Sequence, residues 1–124
     1  MRNNYENLEV YKRSFSVSVH ILKVIDDIRP YRLAEQLIAA AISIPSNIAE
    51  GSERNTEKEF IVFLTYSCGS VAELITQLKI IKEAERQVKL DLDFLIKELI
   101  EINSMLRSLI NNKRKRLNEI EKTK

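Results

Sequence analysis

The chain has 124 residues but only two glycines and two prolines, which excludes a sandwich, a barrel or any turn-rich sheet, because those folds need turn residues every ~8–12 positions. One cysteine, Cys68, and one histidine, His20, exclude an internal disulfide, a cysteine-rich zinc site and a multi-histidine metal centre. Charge is nearly balanced at 20 basic against 18 acidic residues, yet Arg107, Lys113, Arg114, Lys115 and Arg116 fall in one stretch that holds no acid, so the basic character is local to one end.

The remaining composition suits long helices: 31% charged residues, 6% aromatics and no tryptophan. No apolar run approaches the ~18 residues of a membrane span. Met1 to Glu9 carries charges and lacks the apolar stretch of a secretion signal. A cytoplasmic protein, without membrane contact, is the expectation.

Apolar residues recur at helical spacing in four segments. The first helix is expected over residues 8–28. Leu8, Tyr11, Phe15, Val19 and Leu22 form one stripe, and Val10, Val17, Ile21, Val24 and Ile28 form another. Pro30 ends it, because the residue before a proline is pushed out of the α region. The second helix is expected over 31–50, with Leu33, Leu37, Ala40, Ile44 and Ile48 on one stripe and Ala34, Ile38, Ala41, Ile42 and Ala49 on another. Pro45 lies inside it and predicts a kink, and Gly51 reads as the stop.

The third helix is expected over 56–86. Thr56 and Glu59 have the spacing of a capping box. Phe60, Leu64, Ser67, Val71, Leu74, Leu78 and Ile81 alternate steps of four and three, a coiled-coil-like seam. The fourth is expected over 91–116, opened by Asp91, with Leu92, Leu95, Leu99, Ile102, Leu106 and Leu109 as its seam. Residues 117–124 are polar and read as a frayed tail.

Short links make neighbouring helices antiparallel, so the fold class is all-α: an up-down-up-down four-helix bundle, one domain over 1–124. The helices carry more apolar stripes than a lone bundle needs, which predicts self-association.

Several segments resemble a known family: Glu6-Asn7-Leu8-Glu9-Val10-Tyr11-Lys12, Ser43-Ile44-Pro45-Ser46-Asn47-Ile48-Ala49-Glu50-Gly51, Glu59-Phe60, Gly69-Ser70-Val71-Ala72-Glu73-Leu74 and Thr76-Gln77-Leu78. Together they look like the four-helix-bundle proteins encoded by intervening sequences in 23S rRNA genes, over roughly Tyr5 to Leu109. The resemblance implies a ring-like homopentamer. It also implies kinship with accessory proteins of diversity-generating retroelements, which bind a polymerase-type enzyme and nucleic acid through a basic surface. Two places depart from the family pattern. Many members carry two arginines where Ile38 and Ala39 stand, and a basic run where this chain has Ser52-Glu53-Arg54-Asn55-Thr56.

Three constellations follow. Lys113, Arg114, Lys115 and Arg116, with Arg107, Arg54 and Lys58, are the candidate phosphate contacts for RNA or DNA. No aromatic interleaves them, so base stacking is not indicated. Ser43, Ser46, Asn47 and Glu50 on the second helix, faced by Ser67, Ser70, Glu73 and Gln77 on the third, read as a polar network holding the kink at Pro45. Arg13 and His20 are seven apart and resemble the Arg–His pair of the ribonuclease bundles called HEPN domains, although that pair sits late in those bundles and here it lies in the first helix. The expectation is a non-catalytic nucleic-acid-binding or accessory scaffold without metal or cofactor. A pure protein-interaction module is the alternative, and a ribonuclease the remote one.

Overall fold

The computed structural model describes residues 4–123. Four helices carry the chain: α1 (Glu9–Lys23), α2 (Tyr31–Ser52), α3 (Glu57–Glu83) and α4 (Leu92–Lys122). Single 3-10 turns lie at Tyr5–Asn7 and Ile25–Asp27, and the described residues include no strand. Each helix packs on the next, and α4 closes back on α1. The result is an antiparallel four-helix bundle.

The period of the apolar residues decides the core. All seven residues of the α3 seam, from Phe60 to Ile81, are buried. On α4, Leu95, Leu99, Ile102 and Leu106 are buried, and Ile110 rather than Leu109 continues the stripe inward. Of the two stripes on α1, the one with Val10, Val17 and Ile21 faces the core, while Phe15, Val19 and Leu22 remain exposed. By length and composition α3 reaches the span of a membrane helix, contrary to the expectation. Its apolar seam is taken up by its neighbours in the bundle.

The helix ends differ from the expected ones for local reasons. α1 stops at Lys23 instead of running to residue 28. Asp26 and Asp27 would place two carboxylates at the negative end of the dipole. The chain instead makes a 3-10 turn that delivers Ile28 to the core. The Arg29–Pro30 peptide bond is cis. α2 passes through Gly51 to Ser52, so Gly51 is not a stop. A Cβ there would meet Phe63 Cβ at 2.6 Å and Phe60 Cδ1 at 3.0 Å. The glycine is required by the close approach of α3.

Thr56 caps α3 by accepting from the Glu59 N–H at 3.1 Å. α3 ends at Glu83 rather than 86. There Glu85 adopts φ 57°, and the Arg86 N–H donates to the Ile81 carbonyl at 3.2 Å, a Schellman closure. Asp91 caps α4, accepting from the Phe94 N–H at 3.1 Å. α4 then continues to Lys122 instead of fraying after residue 116. Leu117 rests on the core, and Lys58 lies 3.6 Å from Glu121. Of the expected tail, Lys124 lies outside the described residues, as do residues 1–3 at the other end.

α2 is helical on both sides of Pro45. A proline has no N–H for the carbonyl four residues back, here that of Ala41. Ser18 of α1 fills the place, its Oγ donating to the Ala41 carbonyl at 2.8 Å. Ser67 of α3 donates to the Ile44 carbonyl at 2.9 Å. The expected polar network is thus partly corrected. Ser43 and Ser70 share a hydrogen bond of 2.6 Å, and Asn47 Nδ2 donates to the Ser43 carbonyl at 2.9 Å. Glu50 instead turns to Arg54 at 2.9 Å. Ser46 faces the α1 side and Glu73 lies exposed beside the α2–α3 groove. The hydroxyl that serves the proline is that of Ser18, which reaches the freed carbonyl from the facing helix, while Ser67 adds a cross-helix bond to a carbonyl one residue before the proline.

Candidate nucleic-acid interface

A bundle of four helices has four grooves, and here each has a different chemistry. The α1–α2 groove is apolar, lined by Tyr11, Phe15, Val19, Leu22, Ile42 and Pro45. The α2–α3 groove is mixed, with Arg32, Glu35 and Glu73. The α4–α1 groove holds Arg13, His20, Asp91, Phe94 and Glu98. The α3–α4 groove, of about 380 Å³, is lined by Thr65, Cys68, Gly69, Ala72, Arg107, Ile110, Asn111 and Arg114, with no carboxylate.

The basic run divides when it is wound into α4. Lys113 points inward and is only 7% exposed. Its Nζ donates to Glu57 Oε1 at 2.7 Å and sits 4.4 Å from the centre of the Phe60 ring. Arg116 holds the other oxygen of Glu57 at 2.8 Å. Both cations are therefore paired with one carboxylate at the start of α3, which offsets one of their two charges. Lys113 in particular is a packing residue, which corrects its reading as a phosphate contact. The signal was present in the sequence, since Lys113 continues the buried series Leu106, Ile110 at helical spacing.

Arg54 is committed to Glu50 and lies 4.5 Å from the Phe63 ring centre. Lys58 faces Glu121. Arg107, Arg114 and Lys115 remain. They are exposed, and among the described residues no carboxylate pairs with them. Arg107 and Arg114 are seven residues apart, about 10.5 Å along the helix axis, and border one groove. Opposite them, burial pushes the Cys68 thiol up from its ordinary value, against a smaller downward pull from Arg107. The thiol stays neutral and the groove keeps its positive sign.

Arg13 and His20 do share a groove, but Arg13 is occupied. Its Nε donates to Glu98 Oε2 at 2.9 Å, its Nη2 contacts the other oxygen of Glu98, and Nη2 also meets Glu101 at 2.9 Å. These bonds hold the Arg13 guanidinium more firmly protonated and pull the Glu98 carboxyl below its ordinary value, against an opposing desolvation. With two carboxylates on its Nε and Nη2, the charge of Arg13 is already offset within the fold.

The sequence profile of the 23S rRNA-intervening sequence proteins matches residues 6–108. The chain belongs to the 23S rRNA-intervening sequence protein family. In fold this family member is similar to a protein of unknown function from the S23 ribosomal protein family of Bacteroides thetaiotaomicron. The TM-score is 0.74 at 21% identity, covering 82% of this chain and 97% of the other. No curated protein matches the chain. The profile match ends at residue 108, before Lys113 to Arg116.

Proposed function

We propose that this 23S rRNA-intervening sequence protein is a non-catalytic accessory scaffold that binds nucleic acid along α4 and works as a homo-oligomer, a pentamer by its resemblance. One observation carries the reading. Arg107, Arg114 and Lys115 stand exposed on α4 without a carboxylate, while Lys113, Arg116, Arg54 and Lys58 are paired to acids of the chain itself. Cations left unpaired are the ones that can displace counterions from a phosphate backbone. The exposed apolar groove between α1 and α2 supports self-association, and in an oligomer weak basic sites add through effective concentration.

The test is fluorescence anisotropy with RNA and DNA across a salt series. The triple variant Arg107→Ala/Arg114→Ala/Lys115→Ala is compared with a charge-matched triple at the other end of the bundle, Lys79→Ala/Lys82→Ala/Lys97→Ala. The first triple should lose at least tenfold in affinity near physiological salt. Its log–log salt slope should be shallower by roughly two, at ~0.7 per phosphate contact on single strands. The second should bind within about threefold of the wild type. No binding by the wild type at low salt, or equal losses in both triples, would reject the reading. In the first case a protein partner becomes the thing to seek.

A further inference from the structure

Gly69 has no function inside the fold. It lies in the middle of α3 with ordinary negative φ, is exposed, and a Cβ built on it would meet nothing within 4 Å. Glycine weakens a helix interior relative to alanine, and here no packing contact compensates, unlike at Gly51. The missing side chain leaves a gap that only a body outside the protein can use. That gap opens into the α3–α4 groove, across from Arg107 and Arg114.

The walls say what the body is. The largest apolar residues of the groove, Cys68 and Ile110, are already 6% and 3% exposed, so a docking helix would gain little apolar burial there. What the groove leaves unsatisfied is polar: two guanidinium groups and, among the described residues, the side-chain amide of Asn111. No acid and no aromatic lines it. Charge without stacking surfaces fits a backbone rather than bases. A duplex carries its phosphates on a convex surface and would touch only the rim arginines, whereas a single strand is narrow enough to settle between two packed helices.

We infer that the α3–α4 groove holds the sugar–phosphate backbone of a single nucleic-acid strand, with Arg107 and Arg114 on its phosphates and Gly69 giving the strand room to descend. This rests on the nucleic-acid reading above and names its substrate class as single-stranded and sequence-indifferent.

Gly69→Leu tests it without altering charge. Anisotropy is measured on the full chain with an oligouridylate, an oligodeoxythymidylate, a duplex of the same length and an oligoglutamate. Gly69→Leu should weaken both single strands at least tenfold and leave the duplex within twofold. Gly69→Ala should weaken the single strands a few-fold while raising the thermal midpoint, so that the loss is separated from any damage to the fold. If Gly69→Leu binds single strands like the wild type, or if the duplex suffers equally, the groove assignment is wrong while nucleic-acid binding stands. If oligoglutamate binds as tightly as the single strands and is lost with Gly69→Leu, the groove takes an acidic peptide and the assignment is overturned. If the wild type binds no nucleic acid, this inference and the reading beneath it fall together.

Discussion

Both glycines lie inside helices, and only Gly51 is needed by the fold. Its hydrogen occupies a space where a methyl group would press on Phe60 and Phe63. Gly51→Ala should therefore destabilise the protein by about 1–3 kcal/mol, the range for overpacking a tight helix contact, read as a lower urea midpoint with unchanged slope. An unchanged or higher midpoint would show that α3 moves aside without strain. The sequence made Gly51 look like a stop because glycine so often follows a helix. Its true role depends on two aromatics that reach it only after α3 has packed. Lys113 is the opposite case. Its place on the buried α4 stripe was legible, but the chemistry of its neighbours Lys115 and Arg116 masked it. The carboxylate that receives it, Glu57, is remote in sequence.

At the scale of elements, most of the bundle follows from period and capping alone. The α3 seam and the Thr56 and Asp91 caps all follow from patterns that act within a few residues. Helix ends are less legible, because each is set by a competition that neighbours decide. α4 is lengthened by Leu117 and Lys58, and α3 is cut short by its closure at Glu85. The seam between α1 and α4 offers a check. It is fastened by Arg13 to Glu98 and Glu101, and the Arg13 bonds hold the Glu98 carboxyl below its ordinary 4.5. A carboxyl with a lowered folded value adds stability that is complete above its unfolded value and is lost as pH falls through the folded one. Glu98→Gln should thus cost about 1–2 kcal/mol at pH 7. The gap to the wild type should stay constant down to about pH 5 and close below pH 4.5. A gap that persists undiminished at lower pH would mean that Glu98 contributes by packing and not by charge. The α1–α2 contact gives a companion prediction. Ser18→Ala leaves the Ala41 carbonyl buried without its donor, for about 1–3 kcal/mol, whereas Ser46→Ala, at an exposed position of α2, should change the urea midpoint little.

For the whole molecule, the question is what covers the stripe that the fold leaves outside. Phe15 and Leu22 are 51% and 54% exposed, and they join Val19 and Ile42 along one groove. Two stripes on α1 were legible in the sequence. Which one the bundle would bury was not, because both have the helical period and only the positions of α2 and α4 choose between them. A groove of this kind on every copy can close a ring if each protomer offers it to the next through a different surface. Light scattering should then show a wild-type mass of several chains, five by the resemblance. Phe15→Glu/Leu22→Glu should fall to one chain while keeping its helical circular dichroism, since neither residue belongs to the core. A wild type that runs as a single chain at ~100 µM would end the oligomer reading. The same variant joins assembly to binding. If the basic grooves act together, the monomer should lose at least tenfold on a long RNA that spans several copies and little on a short strand that fills one groove. Equal affinity for the long RNA in both forms would mean that one groove carries the binding alone and that the ring has another purpose.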